Sequence, residues 1–460
     1  MAKQGIVVAG LAGGSGKSVV SVGLTVALSR RGRNVVPFKK GPDYIDAGWL
    51  QLAAGNRCYN LDPYLMSRDT VTSSFYHRTQ SAERVIVEGN RGLFDGVNVE
   101  GGYSTADLAV MLDLPVLLVV NCTKTTRTVA ALVLGCQQFD KRVNIRGVIL
   151  NQVGTERQRR LITEAVERYT DIPVLGAVPR LKRDIFPMRH LGMIPHQEYK
   201  GSDQALDFLG ELIEKNIDLD RVERIMEPVL DRKCLVEFTP ASNGHAKVRI
   251  GVLQDAAFQF YYSENLEALE RAGGELHFIN ALTDSCLPEL DGLYIGGGFP
   301  ETSAKDLAAN VSFRSAVKNG AEAGLPIYAE CGGLIYLGRS IVIGGEEYPL
   351  ADVFPVRFGM SEKPQAHGYS IFTVEGENPF YPVGLEVKGH EFRYSTVLEW
   401  QGSDDQLVLK MERGKGFLDG RDGLVKKNVF ALYTHVHADG TREWADGFVR
   451  KCRMFSVMAS

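Results

Sequence analysis

The sequence predicts an α/β protein of two doubly wound domains, and three observations carry that prediction. Short β-rich apolar runs alternate with helical stretches through both halves of the 460-residue chain, as parallel strands joined by βαβ crossovers do. A glycine-rich loop ending Gly16-Lys17-Ser18 lies between the first apolar run and the first helical stretch. Residues 236–247 are polar and turn-forming, and a fresh strand, Val248-Arg249-Ile250-Gly251-Val252, follows them. The expected divisions are residues 1–236, a linker at 237–247, and residues 248–460.

In the first half, strands are expected at 6–9, 34–38, 84–87, 115–120, 147–150 and 173–176. Between the first two, Lys17–Arg30 reads as an amphipathic helix, with Val19, Val22, Val26 and Leu28 set to face a sheet. In the second half, strands are expected at 275–279, 292–295 and 326–329. Residues 340–400, rich in Gly, Tyr, Val and Phe, read as β-hairpins.

Composition narrows the function classes. Hydrophobic residues make up 44% and charged residues 23%, the balance of a soluble globular protein. A formal net charge of −4 gives no global attraction to a nucleic-acid backbone or an anionic membrane, so neither is an expected partner. The seven cysteines are scattered, odd in number and without a CxxC pair, against a disulfide framework or zinc site and for a reducing compartment. The run Gly5-Ile6-Val7-Val8-Ala9 is too short for a signal peptide, and the apolar segment 114–120 is strand-sized, so a cytoplasmic location is expected.

The loop Gly10-Leu11-Ala12-Gly13-Gly14-Ser15-Gly16-Lys17-Ser18 fits a phosphate cradle. Backbone N–H groups of Gly13, Gly14, Ser15 and Gly16 would curl around phosphate oxygens, Lys17 would reach the β/γ-phosphates, and the Ser18 hydroxyl would sit on Mg²⁺. The first glycine stands one position earlier than in the usual spacing, and a glycine-rich turn without nucleotide is the plainer alternative.

Two carboxylate-bearing strings follow the second and third strands: Lys39-Lys40-Gly41-Pro42-Asp43-Tyr44-Ile45-Asp46 and Glu88-Gly89-Asn90-Arg91-Gly92-Leu93-Phe94-Asp95-Gly96. In a parallel sheet both emerge at the carboxyl edge beside the phosphate loop. Ser18, Asp46 and Glu88 are candidate Mg²⁺ ligands, and Lys39, Asp43, Tyr44, Asp46 and Asp95 flank where an anionic substrate would lie. Which of Asp43, Asp46 and Glu88 ligates is open, and Asp43 and Asp46 also suit a turn after Gly-Pro. Asn151, at a strand end, is set either to bond a purine edge or to cap the strand.

The second half carries Tyr328-Ala329-Glu330-Cys331-Gly332-Gly333-Leu334, with Tyr433-Thr434-His435 downstream. Small residues around Cys331 fit a sharp strand-to-helix turn that pushes the thiol outward at a helix start, where the thiolate is favoured. Gly296-Gly297-Gly298 follows another strand and, with Gly332, can aim backbone N–H groups as an oxyanion hole. Cys331 would be the nucleophile and His435 its base. Alternation along a strand would put His437 on the same face, so spacing alone does not choose between the two histidines. His77, His190, His196, His245, His277 and His367 show no ligand spacing, and His390 is a weaker candidate for shaping the site.

Over nearly its whole length the chain resembles the glutamine-dependent cobyrinate a,c-diamide synthases of corrinoid biosynthesis. Its N-terminal half is similar to the dethiobiotin synthetase type of ATP-binding domain. Its C-terminal half is similar to a class I, flavodoxin-like glutamine amidotransferase. The strings that carry the likeness are Gly16-Lys17-Ser18, Gly41 to Asp46, Glu88-Gly89 with Gly92 to Gly96, Gly296 to Gly298 with Pro300-Glu301, Ala329 to Gly333, Gly389 to Phe392, and Tyr433-Thr434-His435.

The resemblance implies a glutamine-hydrolysing carbon–nitrogen ligase that uses ATP and Mg²⁺. Cys331 would release ammonia from glutamine with His435 as its activator. ATP would convert the a and c acetates of a tetrapyrrole polycarboxylate into acyl phosphates that ammonia displaces. Most class I amidotransferases carry glutamate two residues after the histidine. His437 fills that slot here, so no third triad member is assigned. Asn90-Arg91, Ala47 and Lys40 depart from the family pattern beside the acidic loops, leaving sirohydrochlorin, metallo-sirohydrochlorin or sirohaem as alternative substrates. A homodimer is one expected state for an α/β enzyme of this size. A different class, a P-loop ATPase switch of the partitioning type, would have no use for the Cys331/His435 half.

Overall fold

The computed structural model describes residues 3–181, 188, 189, 192–230, 232, 234–238 and 247–459. It divides into two units, Met1–Glu237 and Phe238–Ser460. Of the expected linker 237–247, residues 239–246 lie outside the described residues, as do His190 and His245.

In the first unit the apolar runs form the interior of an eight-stranded sheet among the described residues. Its order is Tyr59–Leu61, Val35–Lys40, Arg84–Glu88, Gln4–Gly10, Val116–Asn121, Ile145–Val153, Val174–Pro179, all parallel. Glu227–Pro228 adds a short antiparallel pairing to Gln4–Gly10. Because the strands run one way, their carboxyl ends share an edge. The phosphate loop, Lys39 and Glu88 therefore meet there, with Lys39 directly opposite Glu88 in register. The strand Tyr59–Leu61 is not among the expected ones; its three residues are too few for a period to show.

The helix Lys17–Arg30 forms where expected but is not amphipathic. Val20, Val22, Leu24, Val26, Ala27 and Leu28 are all buried, and Val19 is only half-buried. The helix Ser202–Asn216 packs against this helix and also touches the strand Val174–Pro179 of the sheet. A Cβ on Gly23 would stand 2.4 Å from Ile213 Cγ1, so only glycine permits that approach. Buried hydroxyls are satisfied inside the helix, Ser21 donating to Lys17 O (2.7 Å) and Thr25 to Ser21 O (2.8 Å).

The second unit is built on a ten-stranded sheet among the described residues. The parallel part runs Gly274–Ile279, Val248–Leu253, Gly292–Ile295, Ile327–Glu330, Val429–Leu432. An antiparallel part continues through Arg421–Lys426, Leu407–Arg413, Ala366–Val374, Glu386–Arg393 and His435–Val436. Residues 340–400 supply strands as expected, partly to this sheet and partly to a separate four-stranded one containing the hairpin Ser340–Ile343/Glu346–Pro349. Gly344 and Gly345 turn that hairpin at φ 59° and 88°, angles that a tight two-residue turn needs.

The strand that ends at Glu330 runs between Gly292–Ile295 and Val429–Leu432. The glycine run after Ile295 and the Tyr433-Thr434-His435 string after Leu432 are thereby delivered to either side of Cys331. The helix Arg442–Ala459 seals one face of the sheet through Trp444, Phe448 and Cys452, packed with Tyr294, Tyr328 and Phe430. No helix among the described residues is long and apolar enough to cross a membrane.

Candidate functional site

The phosphate loop is held open by its own backbone. Gly14 and Gly16 adopt φ 73° and 93°, and nothing lies within 4 Å of where a Cβ on Gly13 or Gly14 would project. Ser15 accepts from Ala12 N (3.1 Å) and donates to Ala12 O (2.9 Å), and Lys17 Nζ reaches the same carbonyl at 3.3 Å. Asn151 is placed under the loop: its buried amide donates to Ser15 O at 2.9 Å. A Cβ on Gly16 would stand 2.0 Å from the Asn151 amide nitrogen, which explains glycine there. One N–H of that amide is thus committed to the loop backbone, while its second N–H and Oδ1 are not used in this bond.

Beside the loop, Lys39, Asp43, Asp46 and Glu88 form a closed polar box. Lys39 is buried, and its ammonium lies 2.5 Å from Asp46 Oδ2, 3.1 Å from Glu88 Oε1 and 3.6 Å from Asp43 Oδ2. Ser18 donates to Glu88 Oε1 (2.7 Å) and is 3.2 Å from Asp46 Oδ2. Burial works against the Lys39 charge, but Asp46 and Glu88 outweigh it and hold the ammonium well above its ordinary value. Burial lifts Glu88 to about 7 and Asp43 to about 6, while Lys39 overcomes burial to draw Asp46 below the usual carboxylate value. Burial, followed by repulsion from Lys39, lowers Lys17. The box keeps one buried ammonium charged among three carboxylates beside the loop.

Mg²⁺ fits this box. Ser18, Asp46 and Glu88 are hard oxygen donors, and Glu88 Oε2 is buried without a hydrogen-bond partner among the described residues. No group of three or more His, Cys, Asp or Glu residues there closes into a metal cage. A partial protein shell is what Mg²⁺ accepts when phosphate oxygens and water complete it.

The flanking candidates divide. Asp43 Oδ1 accepts from Asp46 N at 3.0 Å, so it also shapes the turn into the helix Ile45–Ala54, with Tyr44 half-buried just before it. Asp95 is exposed and accepts from Gly92 N at 2.8 Å, and Leu93 N donates to Gly10 O (2.7 Å), tying that string to the phosphate loop. Lys40, one of the departures beside the acidic loops, is buried. Burial lowers its pKa, against which Asp62 is the strongest carboxylate neighbour, and because it is buried it adds no open positive surface.

In the second unit Cys331 is the hinge between its strand and the helix Gly332–Leu337, at φ 48° and ψ −96°. That conformation is strained for any residue but glycine and costs roughly 1–3 kcal/mol. Neighbouring glycines make it feasible: a Cβ on Gly333 would stand 2.3 Å from Ile295 O. A Cβ on Gly332 would stand 3.0 Å from Gly298 N, so these two backbones lie side by side next to the thiol, as an oxyanion hole requires. A Cβ on Gly297 would stand 2.4 Å from His435 Cε1 and 3.3 Å from each ring nitrogen, so the imidazole meets that loop with its Cε1 edge.

The structure separates the two histidines. His435 is buried and hydrogen-bonds the Cys331 side chain. Burial opposes its charge, but Cys331 and then Glu330 outweigh that and push it up to about 10. His437 goes elsewhere: its ring packs on Tyr262 with centroids 4.5 Å apart, Nδ1 accepts from Asp439 N, and Nε2 is 3.8 Å from Glu264 Oε1. The expected shared face fails because the strand is only His435–Val436 and the chain turns before 437. His390, the weaker candidate, stacks on His435 at 4.9 Å and 21°. Spacing does not single out Glu330, whose Oε2 is 3.5 Å from His435 Nδ1.

Residues 6–191 match the CobQ/CobB/MinD/ParA nucleotide binding domain family, and residues 249–443 match the CobB/CobQ-like glutamine amidotransferase domain family. The chain is 42% identical over 442 residues to a protein of Magnetococcus marinus named cobyrinate a,c-diamide synthase, covering 95% of this chain and 94% of that one. Proteins of the same name from Archaeoglobus fulgidus and Dehalococcoides mccartyi are each 38% identical, with coverage of 97% and 98% of both chains respectively.

Proposed function

The chain belongs to the cobyrinate a,c-diamide synthase family, and from that premise we propose that it amidates the a and c acetate carboxylates of cobyrinate, using ATP and ammonia taken from glutamine. One observation supports this above all. A strained cysteine, hydrogen-bonded to a buried histidine and beside two glycine backbones, shares a chain with a phosphate loop and its lysine–carboxylate box.

Cys331 Sγ, its proton passed to His435, attacks the side-chain carbonyl carbon of glutamine, and the oxygen that gains charge faces the Gly298 and Gly332 N–H groups. His435 gives its proton to the departing nitrogen, so ammonia leaves and a thioester remains. Water, deprotonated by His435, cleaves the thioester to glutamate and restores the thiol. In the first unit a carboxylate oxygen of the macrocycle attacks the γ-phosphorus of ATP, releasing ADP and leaving an acyl phosphate. Ammonia then attacks the acyl carbon and phosphate departs, giving the amide. A carboxylate needs this step because its own leaving group would be oxide.

Lys17 and the loop amides hold the triphosphate, and Lys39 stands where charge moves off the γ-phosphate. Mg²⁺ held by Ser18, Asp46 and Glu88 would neutralise phosphate charge. A switch of the partitioning type would leave the Cys331–His435 pair without a role.

The test is the protein with MgATP, glutamine and cobyrinate, followed by mass. Two acid-for-amide exchanges on cobyrinate are expected, and Cys331→Ser should lose the glutamine-driven reaction while an ammonium salt still drives it. Loss of both reactions in that variant, or amidation of sirohydrochlorin but not of cobyrinate, would refute the proposal.

A further inference from the structure

We infer that Glu330, the residue before the nucleophile, is the positioning carboxylate of the thiol site and takes the part that position 437 does not supply. The inference rests on the glutamine-hydrolysing role proposed above.

Glu330 is 1% exposed, and both of its oxygens are engaged on the histidine string. Oε1 accepts from Val436 N at 3.2 Å, the amide next to His435 in the chain. Oε2 lies 3.5 Å from His435 Nδ1 and accepts from the Tyr294 hydroxyl at 3.3 Å. Register fixes this reach, since Glu330 pairs with Leu432 across adjacent strands and Cys331 N donates to Leu432 O at 2.8 Å. His390 stacks on the face of the imidazole, which sets the plane of the ring, and the bare Gly297 backbone lies at its Cε1 edge. Glu330 then sets its rotation. With Nδ1 turned to the carboxylate, Nε2 is the nitrogen left to serve Cys331.

The glutamate two residues after the histidine is replaced by a residue that cannot do this. His437 packs on Tyr262 and is directed to Glu264. The titratable groups facing His435 are Glu330, Cys331 and His390, with Tyr294 acting through Glu330 and His437 acting on His390. Of these, Glu330 is the carboxylate. In a site closed to water such a charge holds one tautomer and stabilises the protonated ring as it forms.

The experiment compares Glu330→Gln and Glu330→Asp by glutaminase kinetics across pH, by ammonium-driven amidation, and by the pH dependence of Cys331 alkylation with iodoacetamide. Gln should lower glutamine-driven kcat/KM about 10²-fold and move the alkaline limb of both pH profiles down by about one unit, because the imidazolium loses its carboxylate. Asp should return that limb toward the parent, and ammonium-driven amidation should persist in both variants. An unmoved limb, or parallel loss of the glutamine- and ammonium-driven reactions, would show Glu330 to be merely part of the packing. Continued glutamine use by Cys331→Ser would instead overturn the proposed function itself, so the two failures are distinct.

Discussion

Replacing Gly297 by alanine tests the thiol site with a single methyl group. Gly297 does not adopt a positive φ, so alanine fits the backbone, and its carbonyl keeps the bonds it accepts from Gln259 N and Phe260 N at 3.0 Å each. The only cost is spatial. The new Cβ would stand 2.4 Å from His435 Cε1, where ordinary contact begins at 3.4 Å, so the imidazole must retreat by about 1 Å. The push runs in the ring plane toward the side chain's own attachment, so the ring cannot slide straight back, and His390 stacked on its face limits tilting. A misplacement of about 1 Å is worth roughly 10²-fold in rate, or about 2.7 kcal/mol of barrier. The assay is glutamate release from glutamine, run beside ammonium-driven amidation. Glutaminase kcat should fall by that factor while the ammonium-driven reaction stays within about twofold of the parent. Full glutaminase activity in Gly297→Ala would show that the imidazole does not work from this position, and the site as described would be wrong.

The phosphate loop and a buried carboxyl of the second unit give two more expected outcomes. Asn151→Ala leaves the buried Ser15 carbonyl without its donor, which costs roughly 1–3 kcal/mol, so KM for ATP in ammonium-driven amidation should rise about tenfold or more, and an unchanged KM would show that Asn151 does not hold the loop. Burial and then Glu391 raise the Asp422 carboxyl to about 7 from an ordinary 3.8. Between those values the unfolded chain has lost the proton that the folded chain keeps, so stability is present at lower pH and is lost as pH rises through 7. Asp422→Asn removes that loss and should gain on the parent by on the order of 4 kcal/mol between pH 4 and 7, read from urea unfolding, and a constant difference across that range would refute it.

Local chemistry wrote several parts of this protein plainly. Most of the parallel strands are legible because they are continuous apolar runs buried on both faces, and the loops because glycine is required where φ is positive or a backbone passes close. Gly16 against Asn151, and Gly333 against Ile295, are such positions. Cys331 is legible because its neighbours leave room for a thiol at a reversing turn. Lys17–Arg30 reads as amphipathic but is not, because a helix covered by another helix as well as a sheet has no polar face to show.

The order of residue types along the chain determined that there are two α/β units, one with a phosphate loop and one with a nucleophilic cysteine, because strand period and turn chemistry act over a few residues. Packing in three dimensions sets the rest: Lys39 closes the carboxylate box, Asn151 clamps the loop, His435 rather than His437 meets the thiol, and Glu330 stands behind it. Those outcomes depend on strand order, on register and on where the strand at His435–Val436 stops. They are set by packing between segments tens to hundreds of residues apart, and no local pattern encodes it.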